Sequence, residues 1–304
     1  MSSEEQTEYG ARDFLCYQLL VELDEAQHDG RSITRTQFLK ISPIADRILS
    51  EEYDRDIGLP RYWYMYGEVL NETPLNDGFY TTTDAPWDGK AIELSPGISS
   101  DTFSVEENVR RDIHEVARRL ASNFANERTD ELKEYQYREH APTKFIIAFD
   151  DFRSFITETD RQSTTLDSFV SGKSSYSPES EALELLDDAL ISYPEDQYEE
   201  MYDVFLEWED TMRLLIEQET AFDEAEGLLR DFWETFSKVE LRLQHEQNTP
   251  QEQKMRWVEQ RENAKREFRE RLAEIRNERL TNRCQSDVLN DVAESYSETV
   301  RDMF

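Results

Sequence analysis

Apolar positions recur at helical spacing over most of this chain, and their interruptions set out its organisation. Over residues 11–27, Phe14, Leu15, Leu19, Leu20 and Leu23 are dense enough for a buried first helix, ended by His28-Asp29-Gly30. Thr34 or Thr36 is then placed to cap a short second helix carrying Phe38, Leu39 and Ile41. At Ser42-Pro43 a hydroxyl able to accept orphan N–H groups precedes a proline suited to the first helical position, which predicts a third helix starting at Pro43. That helix carries Ile44, Ala45, Ile48 and Leu49 and runs out near Tyr53. The order predicts a helix-turn-helix within residues 31–70. The aromatic run Tyr62-Trp63-Tyr64-Met65-Tyr66-Gly67 has only Arg61 basic beside it, so it reads as core and not as a base-stacking platform. Two β-like runs, 79–83 and 91–94, flank a turn-rich 84–89 and predict a small β wing.

Beyond the wing, Val109, Ile113, Val116, Leu120 and Phe124 predict one long helix over 105–138, broken by Ala141-Pro142. Phe145, Phe149, Phe152 and Ile156 continue as a helical stripe, although 145–149 alone would also suit a buried strand. Residues 157–180 lose periodicity and are rich in Ser, Thr and Asp, which predicts an exposed linker and a domain boundary. From Pro194 to Pro250 no proline intervenes and Gly227 is the one glycine, so a helix of about 50 residues and ~75 Å is allowed. Its heptad-like seams, Tyr198 to Leu215 and Phe222 to Leu243, join through polar Gln218 in a stammer. After a turn at 245–250, a return helix carries Trp257, Ala264, Phe268, Leu272 and Ile275. It goes polar around Asn282 and resumes with Leu289, Ala293, Tyr296, Val300 and Met303.

The predicted fold is therefore mainly α: a winged-helix-like domain with a small β wing over 1–100, a helical connector over 101–160, an acidic, Ser-rich linker over 161–180, and over 181–304 a long antiparallel helical hairpin or a helical bundle, the pattern serving either. At 304 residues there is length for two cores.

Charge changes the picture of the surface. Lys plus Arg total 34, only eight of them lysines, against 68 Asp plus Glu, a net charge of −34. Carboxylates spread over a chain with ordinary aromatic content suit a halophilic, cytoplasmic protein kept soluble in concentrated salt; intrinsic disorder shares the charge signature but not the 5 Trp, 14 Tyr and 16 Phe at helical spacing. The polar start MSSEEQTEYG lacks the pattern of a signal peptide, and no run of apolar residues is long enough for a membrane span. Cys16 and Cys284 stand far apart without CxxC and are expected as reduced thiols.

No catalytic motif survives a spacing check. Gly172-Lys173-Ser174 ends like a P-loop, but Asp167 replaces its first glycine; His114-Glu115 begins like HExxH, but Arg118 replaces the second histidine. Asp150-Asp151 would suit a metal-dependent hydrolase if the run before it were a strand. His28, His140 and His245 fall in turns or helix ends without a nucleophile signature. No catalytic residue, cofactor site or metal site is therefore assigned. Six of the eight basic residues of positions 1–100 lie between 31 and 61: Arg31, Arg35, Lys40, Arg47, Arg55 and Arg61. They are the candidate contacts to DNA or to a partner, with Glu51, Glu52, Asp54 and Asp56 opposing a duplex. Residues 251–283 hold ten basic and seven acidic side chains, a mix that suits a salt-bridged helix face.

A hydrophobic helix, a helix-turn-helix and an aromatic stretch closing on Tyr66-Gly67-Glu68-Val69 resemble the Panacea domain of toxin–antitoxin systems, in which a tryptophan precedes a Tyr-Gly-Pro-Val segment. The matching positions are Trp63, Tyr66, Gly67 and Val69, within about 80 residues; Glu68 replaces the usual proline, and Trp63 stands one residue further from the glycine. The resemblance implies a domain that neutralises a partner protein by direct contact. The expected function is a non-enzymatic, antitoxin-like protein-binding regulator, with a homodimer through the C-terminal helices as a further expectation. The alternative is a winged-helix transcriptional regulator, and the third reading is the metal-dependent hydrolase.

Overall fold

The computed structural model describes residues 9–27, 32–75, 77–84, 89–163, 177–217 and 222–301, which are mainly helical with two small antiparallel sheets. They divide into two compact units, Met1–Ile147 with Glu240–Glu259, and Ala148–Val239 with Gln260–Phe304.

The first unit is built around α1 (Ala11–Ala26). Nearly every residue from Asp13 to Leu23 is buried, so this helix is enclosed on almost its whole circumference. Its interior polar groups are paired: Gln18 Nε2 donates to Glu22 Oε1 at 3.0 Å. Strand β1 (Ile33–Thr34) leads into α2 (Arg35–Tyr53), whose N-terminus is capped by Thr34 Oγ1 accepting from Gln37 N at 3.1 Å. The predicted break at Ser42-Pro43 does not occur. Residues 35–53 form one continuous helix with Pro43 in its interior, so the helix-turn-helix is absent. Phe38 and Ile41 before the proline and Ala45 and Leu49 after it are fully buried on one unbroken stripe, and Ser42 Oγ donates within the helix to Phe38 O at 2.8 Å instead of capping a new one. Packing of that stripe outweighs the hydrogen bond that Pro43 withholds from the carbonyl of Leu39.

The aromatic run is a hairpin, β2 (Arg61–Tyr64) with β3 (Gly67–Leu70), and a short strand β6 (Glu246–Gln247) pairs with β2 at Arg61 and Tyr62. The expected wing runs as β4 (Tyr80–Asp84) and β5 (Lys90–Leu94); β1 adds to it, giving the order β1-β5-β4. The long helix predicted over 105–138 is two helices, α3 (Glu107–Phe124) and α4 (Thr129–His140). No proline or glycine marks the break. It is made by tertiary contact: Gln37 Nε2, from α2, donates to the carbonyls of Phe124 and Ala125 at 2.9 Å each, which ends α3.

Helix α5 (Lys144–Ser163), most of which belongs to the second unit, buries the predicted stripe of Phe145, Phe149, Phe152 and Ile156. Of the expected linker at 161–180, residues 164–176 lie outside the described residues; α5 runs to Ser163, and α6 (Pro178–Ser192) starts with Ser177 as its cap. The single outgoing helix expected between Pro194 and Pro250 is divided into α7 (Tyr202–Ile216), α8 (Phe222–Phe236), a π turn at Ser237–Leu241 and α9 (Arg242–Gln244). The expected stammer at Gln218 lies outside the described residues. The two seams face one another in an antiparallel pair, with Trp208 stacked on Phe232 at 4.4 Å and Tyr198 meeting Phe236 at 5.0 Å. Helix α6 joins them through Tyr193 on Phe205 at 4.3 Å, α5 through Phe149 on Trp233 at 4.5 Å, and the return helix α10 (Gln251–Arg301) through Phe268 beside Phe232 at 5.9 Å. This is a helical bundle, and α10 runs unbroken through the polar stretch at Asn282. Among the described residues no helix is long and apolar enough to cross a membrane.

Because Pro43 costs α2 a hydrogen bond that alanine would restore, Pro43→Ala is expected to raise the stability of the first unit by about 2 kcal/mol after allowing for the freer unfolded chain. Urea unfolding followed by circular dichroism measures it; an unchanged or lower midpoint would show that the packing of the buried Pro43 ring offsets the missing hydrogen bond.

Candidate functional site

Residues 61–70 alternate between the interior and a half-buried face. Trp63 and Glu68 point inward, while Tyr62 lies against Trp257 with ring centroids 4.9 Å apart. At the turn, Gly67 has φ +104°, a left-handed conformation that side chains rarely adopt, and a Cβ there would lie 2.5 Å from Gln136 Oε1. The close approach exists because the hairpin tip is tied down by buried polar groups. Lys40 of α2, 2% exposed, donates through Nζ to Tyr66 O and, at 3.3 Å, to Gln136 Oε1. Gln136 of α4 returns Nε2 to Lys40 O at 3.1 Å and to Glu68 O at 2.8 Å, and Tyr137 OH donates to Met65 O at 3.1 Å. With its backbone held on both sides, the Tyr66 side chain stands out at 57% exposure.

Beneath the hairpin lies an ion-pair network. Arg61 donates to Asp46 Oδ2 at 2.9 Å and to Glu68 Oε1 at 2.5 Å, and Arg47 grips Glu68 with Nε at 2.8 Å and Nη2 at 3.1 Å. Burial pushes the Asp46 carboxyl up, and the adjacent Arg61 opposes that shift. Of the other candidate contact residues, Arg35 pairs with Glu72, Arg55 with Asp112 at 2.9 Å, and Arg31 lies outside the described residues. The five described cations are therefore joined to carboxylates or, for Lys40, enclosed. Of the family-like motif, Trp63 and Gly67 are buried, Val69 is half-buried and Tyr66 is exposed.

Next to this network opens a polar cleft of about 620 Å³. Helix α2 contributes Arg47 and Glu51, the hairpin Trp63 and Glu68, the end of α4 Glu139 and His140, and the segment before β6 His245. Burial lowers the pKa of His245 to about 4 and also lowers that of His140, the Arg47 charge acting in the same direction on each, so both imidazoles are neutral at neutral pH. The indole Nε1 of Trp63 and Nε2 of His140 are buried without a hydrogen-bond partner. In the sequence His140 and His245 are isolated histidines in turns or helix ends, and Glu139 carries no signal of its own. They stand at the ends of elements more than 100 residues apart, and no local pattern links them.

The remaining sequence candidates do not assemble into a site. Asp150 and Asp151 follow a helical run, not a strand; Asp150 pairs with Arg153, and burial followed by the charges of Asp150 and Asp188 raises the pKa of Asp151. Among the described residues no group of three or more His, Cys, Asp or Glu could hold a metal ion. His114 lies 3.2 Å from Glu22 and 3.1 Å from Gln18 as a single imidazole, while His28 and Gly172-Lys173-Ser174 lie outside the described residues. Cys16 is buried, which pushes its thiol pKa well up, with Asp13 adding to the shift. Comparison with protein-family models, curated proteins and solved structures found no match to the chain.

Two outcomes test the hairpin anchor. Gly67→Ala should cost about 2 kcal/mol or more, from the positive φ and the approach to Gln136, and is read as a lowered melting temperature. Burial, then the Lys133 charge, lowers the Lys40 pKa to about 8, against about 10.4 when unfolded. Between those values the unfolded chain binds more protons, so the Lys40 contribution to stability rises with pH by up to ~3 kcal/mol, while below about pH 8 the buried charge is a constant cost. Lys40→Met should remove that rise relative to the unaltered chain in unfolding titrations from pH 7 to pH 10; parallel curves would contradict it.

Proposed function

We propose that this chain is a non-enzymatic, antitoxin-like regulator that binds a partner protein through the tip of the β2–β3 hairpin. The observation that carries this reading is the presentation of Tyr66: a large exposed aromatic on a backbone fixed by Lys40, Gln136 and Tyr137. Tyrosine is among the residues that dominate binding energy at protein interfaces, and a pre-ordered backbone lowers the entropic cost of using it. The resemblance of Trp63, Tyr66, Gly67 and Val69 to the Panacea motif supports reading the same segment as part of an antitoxin-like domain. A duplex partner is disfavoured because phosphate binding needs cations at the surface. Arg35, Arg47, Arg55 and Arg61 face carboxylates instead, on a chain of net charge −34. Self-association through the C-terminal helices would accompany this role.

Co-expression with the product of the neighbouring gene, followed by size-exclusion chromatography, tests the reading. A complex should form and weaken at least ~10-fold with Tyr66→Ala, the circular dichroism spectrum staying unchanged; the same column reports the mass of the chain alone. A complex indifferent to Tyr66→Ala removes the hairpin tip from the interface. A sequence-selective shift of the chain's own upstream DNA that is lost with Arg35→Ala would establish the transcriptional reading in its place.

A further inference from the structure

A single imidazole does not make a metal site, but it can carry a covalent group. His114 stands on α3 with 55% of its side chain exposed, and its Nδ1 lies 3.2 Å from Oε1 of Glu22, a buried carboxylate on α1. Gln18 Nε2, one turn earlier on α1, donates to the same oxygen at 3.0 Å and lies 3.1 Å from the ring nitrogen. An unprotonated Nδ1 beside that oxygen would set lone pair against lone pair, which assigns the proton of the neutral ring to Nδ1 and leaves the lone pair on Nε2. Because Nδ1 faces buried groups, the exposed part of the ring is the edge that carries this nucleophile.

The flanks of the imidazole are cationic. Residues three and four positions apart are neighbours on a helix surface, and His114 has Arg111 one turn before it and Arg118 one turn after. Arg118 is exposed and has no ion pair among the described residues. Arg111, 73% exposed, meets Asp112 at 3.6 Å, but Arg55 already holds that carboxylate at 2.9 Å. The adjacent acid, Glu115, is hydrogen-bonded to Tyr53. An oriented nucleophile between two guanidiniums, on a chain of net charge −34, suits an incoming phosphoryl group, whose oxygens match the planar donor fork of arginine.

We propose that His114 is a phosphoryl acceptor, modified at Nε2 by an acyl phosphate. Nε2 attacks phosphorus as the bond from phosphorus to the acyl oxygen breaks, and that electron pair leaves with the carboxylate. The ring becomes an N-phosphoryl imidazolium that keeps its proton on Nδ1, so no proton has to move in the step. Glu22 stabilises the positive charge that grows on the ring and fixes its orientation, which makes it a positioning residue. Arg111 and Arg118 stabilise the oxygens of the transferring group. The site lies apart from the hairpin tip, and the proposal does not depend on the reading of Tyr66.

The full chain is incubated with acetyl phosphate at neutral pH and fixed ionic strength, with N-acetyl-histidine N-methylamide as the reference nucleophile. Intact mass spectrometry counts the phosphoryl groups gained, and peptide mapping in alkali, where phosphohistidine survives, locates them. His114 is expected to react at least about tenfold faster than the reference and to lose the group in acid. Arg111→Gln with Arg118→Gln, two exposed positions, should slow the reaction by about tenfold without lowering the melting temperature, and Arg111→Lys with Arg118→Lys should retain most of the rate. Glu22→Gln should slow it as well; because Glu22 is buried, the exposed arginine pair carries the test if that variant unfolds. No mass gain, a rate at His114 no greater than that of the reference, modification of His28, His140 or His245 ahead of His114, or indifference to the loss of both arginines would each overturn the proposal.

Discussion

Two cations held out of water beneath the β2–β3 hairpin, Lys40 and Arg61, are the constraint on which the first unit depends. Removing a charge from water is tolerated only where partners replace its hydration. For Arg61 these are Asp46 and Glu68, and for Lys40 the carbonyl of Tyr66 and the amide of Gln136. Because those partners sit on α2, β3 and α4, satisfying the charges sets the position of the hairpin against both helices. Gly67 completes the arrangement, since no side chain fits between the turn and Gln136.

The same arrangement shapes the surface. A basic cluster that would have faced outward on a helix-turn-helix is instead turned onto carboxylates, with Arg47 and Arg61 sharing Glu68. What the hairpin offers to solvent is an aromatic side chain on a rigid backbone, beside a cleft whose spare groups are mostly acceptors. The second unit is held differently. Its core is a contiguous set of aromatic rings, with Phe149, Tyr193, Tyr198, Phe205, Trp208, Phe232, Trp233 and Phe236 in contact, and it is non-directional burial, not a buried charge network, that specifies its helix pairing.

Where helices stop was the least legible feature of the fold. Pro43 carried the strongest local stop signal in the chain and does not stop α2, while Phe124, with no such signal, ends α3 because a glutamine from another helix takes its carbonyl. The heptad-like seams mark faces that are buried from Tyr198 to Leu215 and from Ala225 to Val239. Periodicity reports that a face is covered and is silent on what covers it, so a long hairpin and a folded bundle gave the same pattern.

The sequence by itself determined the predominance of helix, the buried stripes of α1, α3 and α5, a threonine cap at Thr34 or Thr36, the β4–β5 hairpin and the strongly acidic surface, because each follows from composition or from residues a few positions apart. Only the tertiary structure decided that Arg61 and Lys40 turn inward, that Tyr66 is the aromatic left exposed, and that Glu139, His140 and His245 line one cleft. The first two depend on pairings between residues far apart in sequence or on different elements, such as Arg61 with Glu68 and Lys40 with Gln136. Local propensity carries no information about such partners, and buried polar groups must find them all the same.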